Sequence, residues 1–168
     1  MIAHEFNLND NMNPQLTSGL SSCLRQQFGE GLIALALFGS RARNEARPES
    51  DYDIFLLVRN VPERRYERLR LVYRAIAGRF VEKLAFTVRT PEEFEAGFPS
   101  FYLDLGLDGV VLYDTNGYMA DKLQRIRTII AQSGLQRKKL GNNMDWNWRQ
   151  PPLGPWEITW RGYCELRA

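Results

Sequence analysis

The chain has 168 residues, of which 44% are hydrophobic and 25% charged, with 22 basic and 20 acidic side chains, one histidine and two cysteines. This composition excludes a disordered, collagen-like or disulfide-scaffolded chain, and the length indicates one ordinary domain. Cys23 and Cys164 lack the spacing of a zinc cluster, and two unpaired thiols favour a cytoplasmic protein.

The chain begins with a polar segment, residues 1–13, that lacks the basic start and apolar core of a secretion signal. No apolar run reaches about 18 residues, the length of a membrane span, so we expect no membrane contact. In Pro14–Phe28, apolar residues recur at three- and four-residue steps between a first-turn proline and two glycines. This pattern predicts an amphipathic helix.

Two continuous apolar runs, Leu32–Phe38 and Tyr52–Val58, have the length and composition of buried strands. Helical spacing over residues 62–78 predicts a surface helix, whose basic outer face comprises Arg64, Arg65, Arg68, Arg70 and Arg74. Residues 81–89 alternate between apolar and polar side chains, which predicts a third strand with one more open face.

A capping box follows this strand, because Thr90 precedes Pro91 and Glu93, and it predicts a short helix. The remaining predicted elements are a helix over residues 101–107, a strand over residues 109–113 and a helix from Met119 to near Gly134. Helices interleaved with four short strands predict an α+β domain, similar to α/β proteins, with the helices mainly on one face of the sheet. The pattern leaves the strand directions open.

The composition changes after residue 134, where four tryptophans and a Pro-Pro-Leu-Gly-Pro run occur. We therefore divide the chain into a domain over residues 1–134 and an irregular appendage over residues 135–168, which packs on the domain or on a partner. The aromatic side chains favour a sealed core edge or a dimer interface over stacking on a nucleobase or binding a protein acceptor.

Carboxylates, arginines and backbone groups are the candidates for chemistry, because the single histidine, His4, lies in the polar first segment. A net charge of +2 is too small to indicate nucleic-acid binding by itself. Gly39 and Ser40 close the first strand and open a short predicted helix, so backbone N–H groups and the Ser hydroxyl can hold an anionic phosphate. Arg41 and Arg43 follow, each able to touch phosphate or face solvent, and Arg41 joins the predicted phosphate-binding set.

Asp51 and Asp53 stand two residues apart at the start of the second strand, where a period of two places both carboxylates on one face. Neighbouring carboxylates repel each other, and holding hard divalent cations is the use that fits them best. With a phosphate loop on the adjacent strand end, the pair predicts a two-metal phosphoryl-transfer site with Mg²⁺. Asp51 and Asp53 are therefore the predicted catalytic and metal-binding residues.

The spacing of Gly39 and Ser40 from Asp51 and Asp53 resembles the Gly-Ser-x10-Asp-x-Asp signature of the minimal nucleotidyltransferases of the DNA polymerase beta superfamily. The resemblance covers roughly residues 16–113. It implies the nucleotidyltransferase fold with a small mixed four-stranded sheet, two Mg²⁺ ions on the aspartates, and ATP or another NTP as substrate. It also implies transfer of a nucleoside monophosphate to an acceptor hydroxyl, and several such domains act as antitoxins that adenylylate a toxin protein.

One position departs from the family pattern, which usually has a third carboxylate on the third strand shortly before the Thr-Pro pair. That position is Ala85 here. The nearest acid, Glu82, falls on the opposite side by strict alternation and would reach the site only through a bulge or a register change. Slow transfer, another base, or nucleotide binding without transfer therefore all stay open.

The favoured hypothesis is an Mg²⁺-dependent nucleotidyltransferase that moves AMP from ATP to an unknown acceptor, with a protein of a toxin–antitoxin pair as one candidate. The alternative is a catalytically weak nucleotide-binding or interaction module. An aminoglycoside adenylyltransferase is disfavoured, because the chain after Tyr113 is too short for the helical domain that binds the acceptor in those enzymes. A homodimer and a nucleic-acid partner are left open.

Overall fold

A four-stranded mixed sheet organises the chain in the computed structural model, which describes residues 13–141 and 143–166, with the backbone alone for Asn143. Residues 1–12 of the polar first segment, which include His4, lie outside the described residues. The strands, in the order β3-β2-β1-β4, are β1 (Leu32–Phe38), β2 (Tyr52–Val58), β3 (Leu84–Arg89) and β4 (Val110–Asp114). β1 runs antiparallel to β2 and β4, whereas β2 and β3 run parallel. The predicted α+β class with a mixed four-stranded sheet is confirmed.

Six α-helices occur in the described part of the chain: α1 (Pro14–Phe28), α2 (Gly39–Ala42), α3 (Arg65–Ile76), α4 (Pro91–Ala96), α5 (Phe101–Asp108) and α6 (Tyr118–Ser133). A single 3₁₀ turn joins α1 to β1. The bounds of α1, β1 and β2 agree with the sequence predictions, whereas α3 and β3 begin later than predicted. None of these six helices has both the length and the apolarity needed to cross a membrane.

Helices cover both faces of the sheet, so the side chains of β1 and β2 are buried on both sides. On one face, α1 and α3 pack on a cluster that includes Leu35 and Ile54. On the other face, α4, α5 and α6 pack on a cluster that includes Ala36 and Phe55. The sequence pattern favours helices mainly on one face, but two continuous apolar strands expose apolar side chains on both faces and therefore need two helical layers.

The basic outer face predicted for α3 lacks one member, because Arg68 points inward and is only 5% exposed. Its guanidinium donates hydrogen bonds of 2.6 and 2.8 Å to the carboxylate of Glu93, which also completes the predicted capping box with Thr90. Arg68 Nε donates to the carbonyl of Pro62 as well. A buried arginine is acceptable here because its charge is paired and its N–H groups are bonded.

The C-terminal appendage forms two antiparallel hairpins, so the prediction of an irregular segment is wrong. The first hairpin pairs β5 (Leu135–Leu140) with β6 (Asn143–Trp148), and the second pairs β7 (Trp156–Thr159) with β8 (Gly162–Glu165). Polar and aromatic residues alternate weakly in these short strands, which hides their period from sequence inspection.

Two of the four tryptophans of the appendage cover the edge of the second core cluster. Trp146 and Trp160 pack against it, and Trp160 Nε1 donates to the carbonyls of Phe94 and Gly97 at 2.9 and 3.0 Å. These contacts agree with the predicted place of the tryptophans at a core edge. The division of the chain at residue 134 into a domain and an appendage stays a prediction.

Candidate active site

The predicted site residues meet at one edge of the sheet, where β1 ends and β2 and β3 begin. The strand register sets Phe38, the last residue of β1, opposite Asp53 of β2, and sets Asp53 opposite Ala85 of β3. Asp53 and Phe55 share a face of β2, and Phe55 belongs to the cluster that α4, α5 and α6 cover. The carboxylate of Asp53 therefore lies on that side of the sheet.

Gly39 turns the chain from β1 into α2 in a left-handed conformation, with φ at 74°. A Cβ atom at this position would collide with Oδ2 of Asp53, so the Asp53 carboxylate lies directly against the Gly39 backbone. The carbonyl of the next residue, Ser40, accepts a hydrogen bond of 3.0 Å from the backbone N–H of Glu45. Glycine is required here, since any side chain would meet both the backbone strain and the carboxylate. The predicted phosphate loop and one predicted metal ligand are thus in contact.

The two aspartates form a crowded anionic pair at this edge. Asp51 is exposed just before β2, whereas Asp53 is half-buried. Burial raises the pKa of Asp53, the negative charge of Asp51 raises it further, and the positive charge of Arg43 lowers it. A divalent cation would relieve both raising causes, because its positive charge stabilises the ionised carboxylates that coordinate it and offsets the repulsion between them. The pair therefore fits a hard divalent cation.

Arg41 braces the loop between α2 and β2. Its guanidinium donates hydrogen bonds of 2.9 Å to the carbonyl of Ser50 and 3.2 Å to the carbonyl of Pro48. The guanidinium carbon also lies 4.6 Å from the ring centroid of Tyr52, whose side chain belongs to the face opposite Asp53. These bonds give Arg41 a structural task in shaping the start of β2, and its predicted contact with phosphate stays a prediction.

Arg43 joins the site to distant parts of the chain by ion pairs. Its Nη1 donates to Oδ2 of Asp108 at 2.7 Å, and its Nε donates to Oε2 of Glu45 at 3.3 Å. Both oxygens of Asp108, whose side chain is 4% exposed, also accept hydrogen bonds of 2.7 Å from Arg137 of β5. Arg43 is therefore paired rather than solvent-facing. Sequence inspection missed Asp108 and Arg137, although the basic run at residues 137–139 was an available signal.

The position of the family's third carboxylate holds no acid. Ala85 lies beside Asp53 in the parallel register of β2 and β3. Glu82 precedes β3 and accepts a hydrogen bond of 3.3 Å from Asn13 at the N-terminus of α1, on the opposite face of the sheet. Across residues 13–141 and 143–166, no three His, Cys, Asp or Glu side chains gather as a metal-holding group. Glu82 therefore does not replace the missing acid in this structure.

Known proteins resemble this chain in sequence and in fold. The sequence model of the nucleotidyltransferase domain family matches residues 18–102, which include the Gly39 turn, Asp51 and Asp53. A protein of Methanocaldococcus jannaschii, provisionally named protein adenylyltransferase MJ1305, is 30% identical over 130 residues that cover 71% of this chain and 83% of that protein.

Two solved structures share the fold at low sequence identity. A toxin–antitoxin crystal structure with AMP-PNP superposes with a TM-score of 0.52 at 16% identity, over 69% of this chain and 87% of that one. A variant of the toxin–antitoxin pair MntA–HpeT with two aspartate-to-glutamate substitutions gives 0.53 at 14% identity, over 72% and 89%. The predicted resemblance to nucleotidyltransferases is confirmed, because the family model and the M. jannaschii relative show that this chain belongs to the nucleotidyltransferase family of transferase enzymes, which use nucleoside triphosphates and divalent metals.

Proposed function

We propose that this protein transfers a nucleoside monophosphate, AMP from ATP, to a hydroxyl group of a partner protein, with Mg²⁺ as the divalent metal. The contact between the Gly39 turn and the Asp53 carboxylate carries the proposal. A metal-bound triphosphate needs backbone N–H groups for its oxygens and carboxylates for its metal within one small volume. That contact supports such an arrangement.

Each group of the site has a distinct role in the proposed reaction. Asp51 and Asp53 hold Mg²⁺, and the backbone N–H groups around Gly39 and Ser40 bind the triphosphate oxygens. When bound, Mg²⁺ neutralises phosphate charge and aligns the acceptor oxygen with the leaving pyrophosphate. The acceptor oxygen bonds to the α-phosphorus as the bond from that phosphorus to the α,β-bridging oxygen breaks, pyrophosphate leaves, and the proton of the acceptor hydroxyl passes to a base of the partner protein. Arg43 adds positive charge beside Asp53, which the lowering of the Asp53 pKa by Arg43 supports.

A protein acceptor is favoured by the names of the similar proteins. The M. jannaschii relative is named as a protein adenylyltransferase, and both structural neighbours are toxin–antitoxin complexes, one of them with the ATP analogue AMP-PNP. We therefore propose a partner protein of toxin–antitoxin type as acceptor. A cytoplasmic location is part of the same proposal, and a homodimer is a further open arrangement.

Ala85 favours a second candidate function, a nucleotide-binding or interaction module that transfers little or nothing. Its methyl group stands where a carboxylate would take the proton of the acceptor hydroxyl, and Glu82 is bound elsewhere. Such a module would still bind a nucleotide through its two aspartates and its glycine loop.

Incubation of the protein with α-labelled ATP, Mg²⁺ and the products of neighbouring genes tests the proposal. We expect label on one partner protein, and we expect it to vanish when Mg²⁺ is chelated or when Asp51→Asn and Asp53→Asn are combined. Asp121→Asn is the matched control, because Asp121 is exposed on α6. If the double variant binds Mg·ATP as tightly as the wild type in calorimetry, the site assignment is wrong. Binding without any transfer selects the second candidate.

A further inference from the structure

Ion pairs tie the β5–β6 hairpin to the candidate site. Arg137 and Lys139 share one face of β5 by the alternation of a strand. Arg137 binds Asp104 at 3.1 Å and Asp108 at 2.7 Å, and Lys139 binds Glu45 at 3.2 Å. The family match ends at residue 102, so the hairpin that supplies both cations lies outside the matched segment.

Asp108 is the central member of these ion pairs, because it lies between the hairpin and the site. Oδ2 accepts from Arg43 and from Arg137, and Oδ1 accepts from Arg137. The side chain of Asp108 is 4% exposed, so its ion pairs replace the water that it loses, and a bidentate guanidinium also fixes the carboxylate plane. Loss of Arg137 would free that plane to rotate, and Arg43 would lose its fixed anchor.

Glu45 connects the same hairpin to the loop that carries the site. Its carboxylate pairs with Arg43 at 3.3 Å and with Lys139 at 3.2 Å, and its backbone N–H donates to the carbonyl of Ser40 at 3.0 Å. This loop runs from the Gly39 turn to Asp51, so it sets the separation between the proposed phosphate-binding backbone and the proposed metal ligands. The hairpin therefore constrains both parts of the site.

We propose that Arg137 is a positioning residue for nucleotide binding. It acts through Asp108 to fix the side chain of Arg43. Together with the Lys139–Glu45 ion pair, it also fixes the loop between Ser40 and Asp51. The inference rests on the proposed function and extends it, because it gives the C-terminal appendage a part in the site. Removing a side chain that orients a ligand-binding residue costs about 10- to 100-fold in affinity in comparable metal sites.

Calorimetric titration of the full-length protein with Mg·ATP tests this inference, with Arg137→Met compared with Lys138→Met. Lys138 is the next residue of β5, is exposed, and makes no ion pair with any described residue. Both variants remove one positive charge, so they change the general attraction of ATP equally. We expect Arg137→Met to bind Mg·ATP about tenfold more weakly and Lys138→Met to stay within about twofold of the wild type.

A double-variant comparison separates positioning from a general loss of packing. If Arg137 acts through Arg43, then Arg137→Met in an Arg43→Gln background causes little further loss, whereas an unrelated structural role adds its full effect. Arg137→Lys should recover only part of the affinity, because lysine lacks the bidentate fork. If Arg137→Met is unfolded in thermal melts, Lys139→Met removes the separate contact of the hairpin with the loop at Glu45 and should weaken Mg·ATP binding in the same direction.

Wild-type affinity for Mg·ATP in a folded Arg137→Met protein would overturn the inference. Losses of Mg·ATP affinity that add fully when Arg137→Met and Arg43→Gln are combined would also overturn it. If Arg137→Met does not fold, wild-type affinity for Mg·ATP in Lys139→Met would overturn the inference. A wild-type protein that does not bind Mg·ATP at all would instead refute the proposed function, and the two failures are therefore distinguishable.

Discussion

Replacing Gly39 with alanine should damage the site in a way that the same change at Gly117 does not. Both glycines adopt the left-handed backbone conformation, with φ at 74° for Gly39 and 73° for Gly117. Nothing lies within 4 Å of a Cβ atom added at Gly117, whereas one added at Gly39 meets the carboxylate of Asp53. The two variants therefore share the backbone cost of alanine and differ only in the collision.

The shared backbone cost is about 1–2 kcal/mol, because an L-residue is disfavoured in the left-handed region. For a domain of this length, about 3 °C of Tm is lost per kcal/mol, so Gly117→Ala should melt about 3–6 °C below the wild type. The collision at Gly39 adds about 1–3 kcal/mol of overpacking, for a total near 2–5 kcal/mol. Gly39→Ala should therefore melt about 6–15 °C below the wild type.

Nucleotide binding should separate the two variants more widely than stability does. To avoid the new methyl group, the Asp53 carboxylate must move away from the Gly39 turn, and a displaced ligand weakens Mg·ATP binding by about 100-fold. Gly117→Ala should bind Mg·ATP like the wild type. Thermal melts and calorimetry check both effects. Equal melting temperatures and equal Mg·ATP affinities in the two variants would refute the assigned contact between Gly39 and Asp53.

Three further substitutions test the electrostatics of the fold and site. Asp53→Asn should raise Tm at neutral pH in a chelator, because a raised pKa means that ionised Asp53 destabilises the folded state, and this penalty is lost only as the pH falls through that pKa. An unchanged Tm in differential scanning calorimetry would argue against this reasoning. Ala85→Asp should speed label transfer by on the order of 100-fold, since it restores an acid beside Asp53, and an unchanged rate would mean that position 85 does not face the reacting atoms. Glu93→Ala should cost about 1.5–3 kcal/mol near pH 7 by unpairing buried Arg68, against about 0.5 kcal/mol for Glu92→Ala. Because the hydrogen bond from Arg68 lowers the pKa of Glu93, the Glu93→Ala deficit in urea titrations should shrink as the pH falls through that lowered pKa.

The parts of the site that could be predicted from sequence are those that are local in the chain. Gly39 and Asp53 are fourteen residues apart in sequence, and two strand-like apolar runs frame them, so a hairpin-like return brings them together. The period of a strand also predicted that Glu82 lies on the face opposite Asp53, and the hydrogen bond from Asn13 bears this out. Periodicity carries this information because it reports which side of an element is buried.

Long-range polar contacts could not be predicted, because a single buried charge has no period. Arg68 looks like any surface arginine on an amphipathic helix until Glu93 is known to lie beside it. Arg43 and Arg137 likewise meet only through Asp108, across 65 and 29 positions of the chain. The hairpins of the appendage could not be predicted for a related reason, since short strands with mixed aromatic and charged residues lack a clear apolar face.

Ala85 makes binding and transfer separable in this chain, which decides how the two candidate functions should be told apart. In the proposed function, Mg·ATP binds through the Gly39 turn and the two carboxylates, and the structure places Gly39 against Asp53 at the edge of the sheet. Transfer also requires a group that accepts the proton of the acceptor hydroxyl, and neither Ala85 nor Glu82 can supply it where it stands. A partner protein that brings its own base would restore transfer, so activity should depend on the acceptor more steeply than Mg·ATP affinity does. Transfer to solvent or to small alcohols at a rate close to that with the partner protein would contradict this reasoning, because it would require a base already present in the chain.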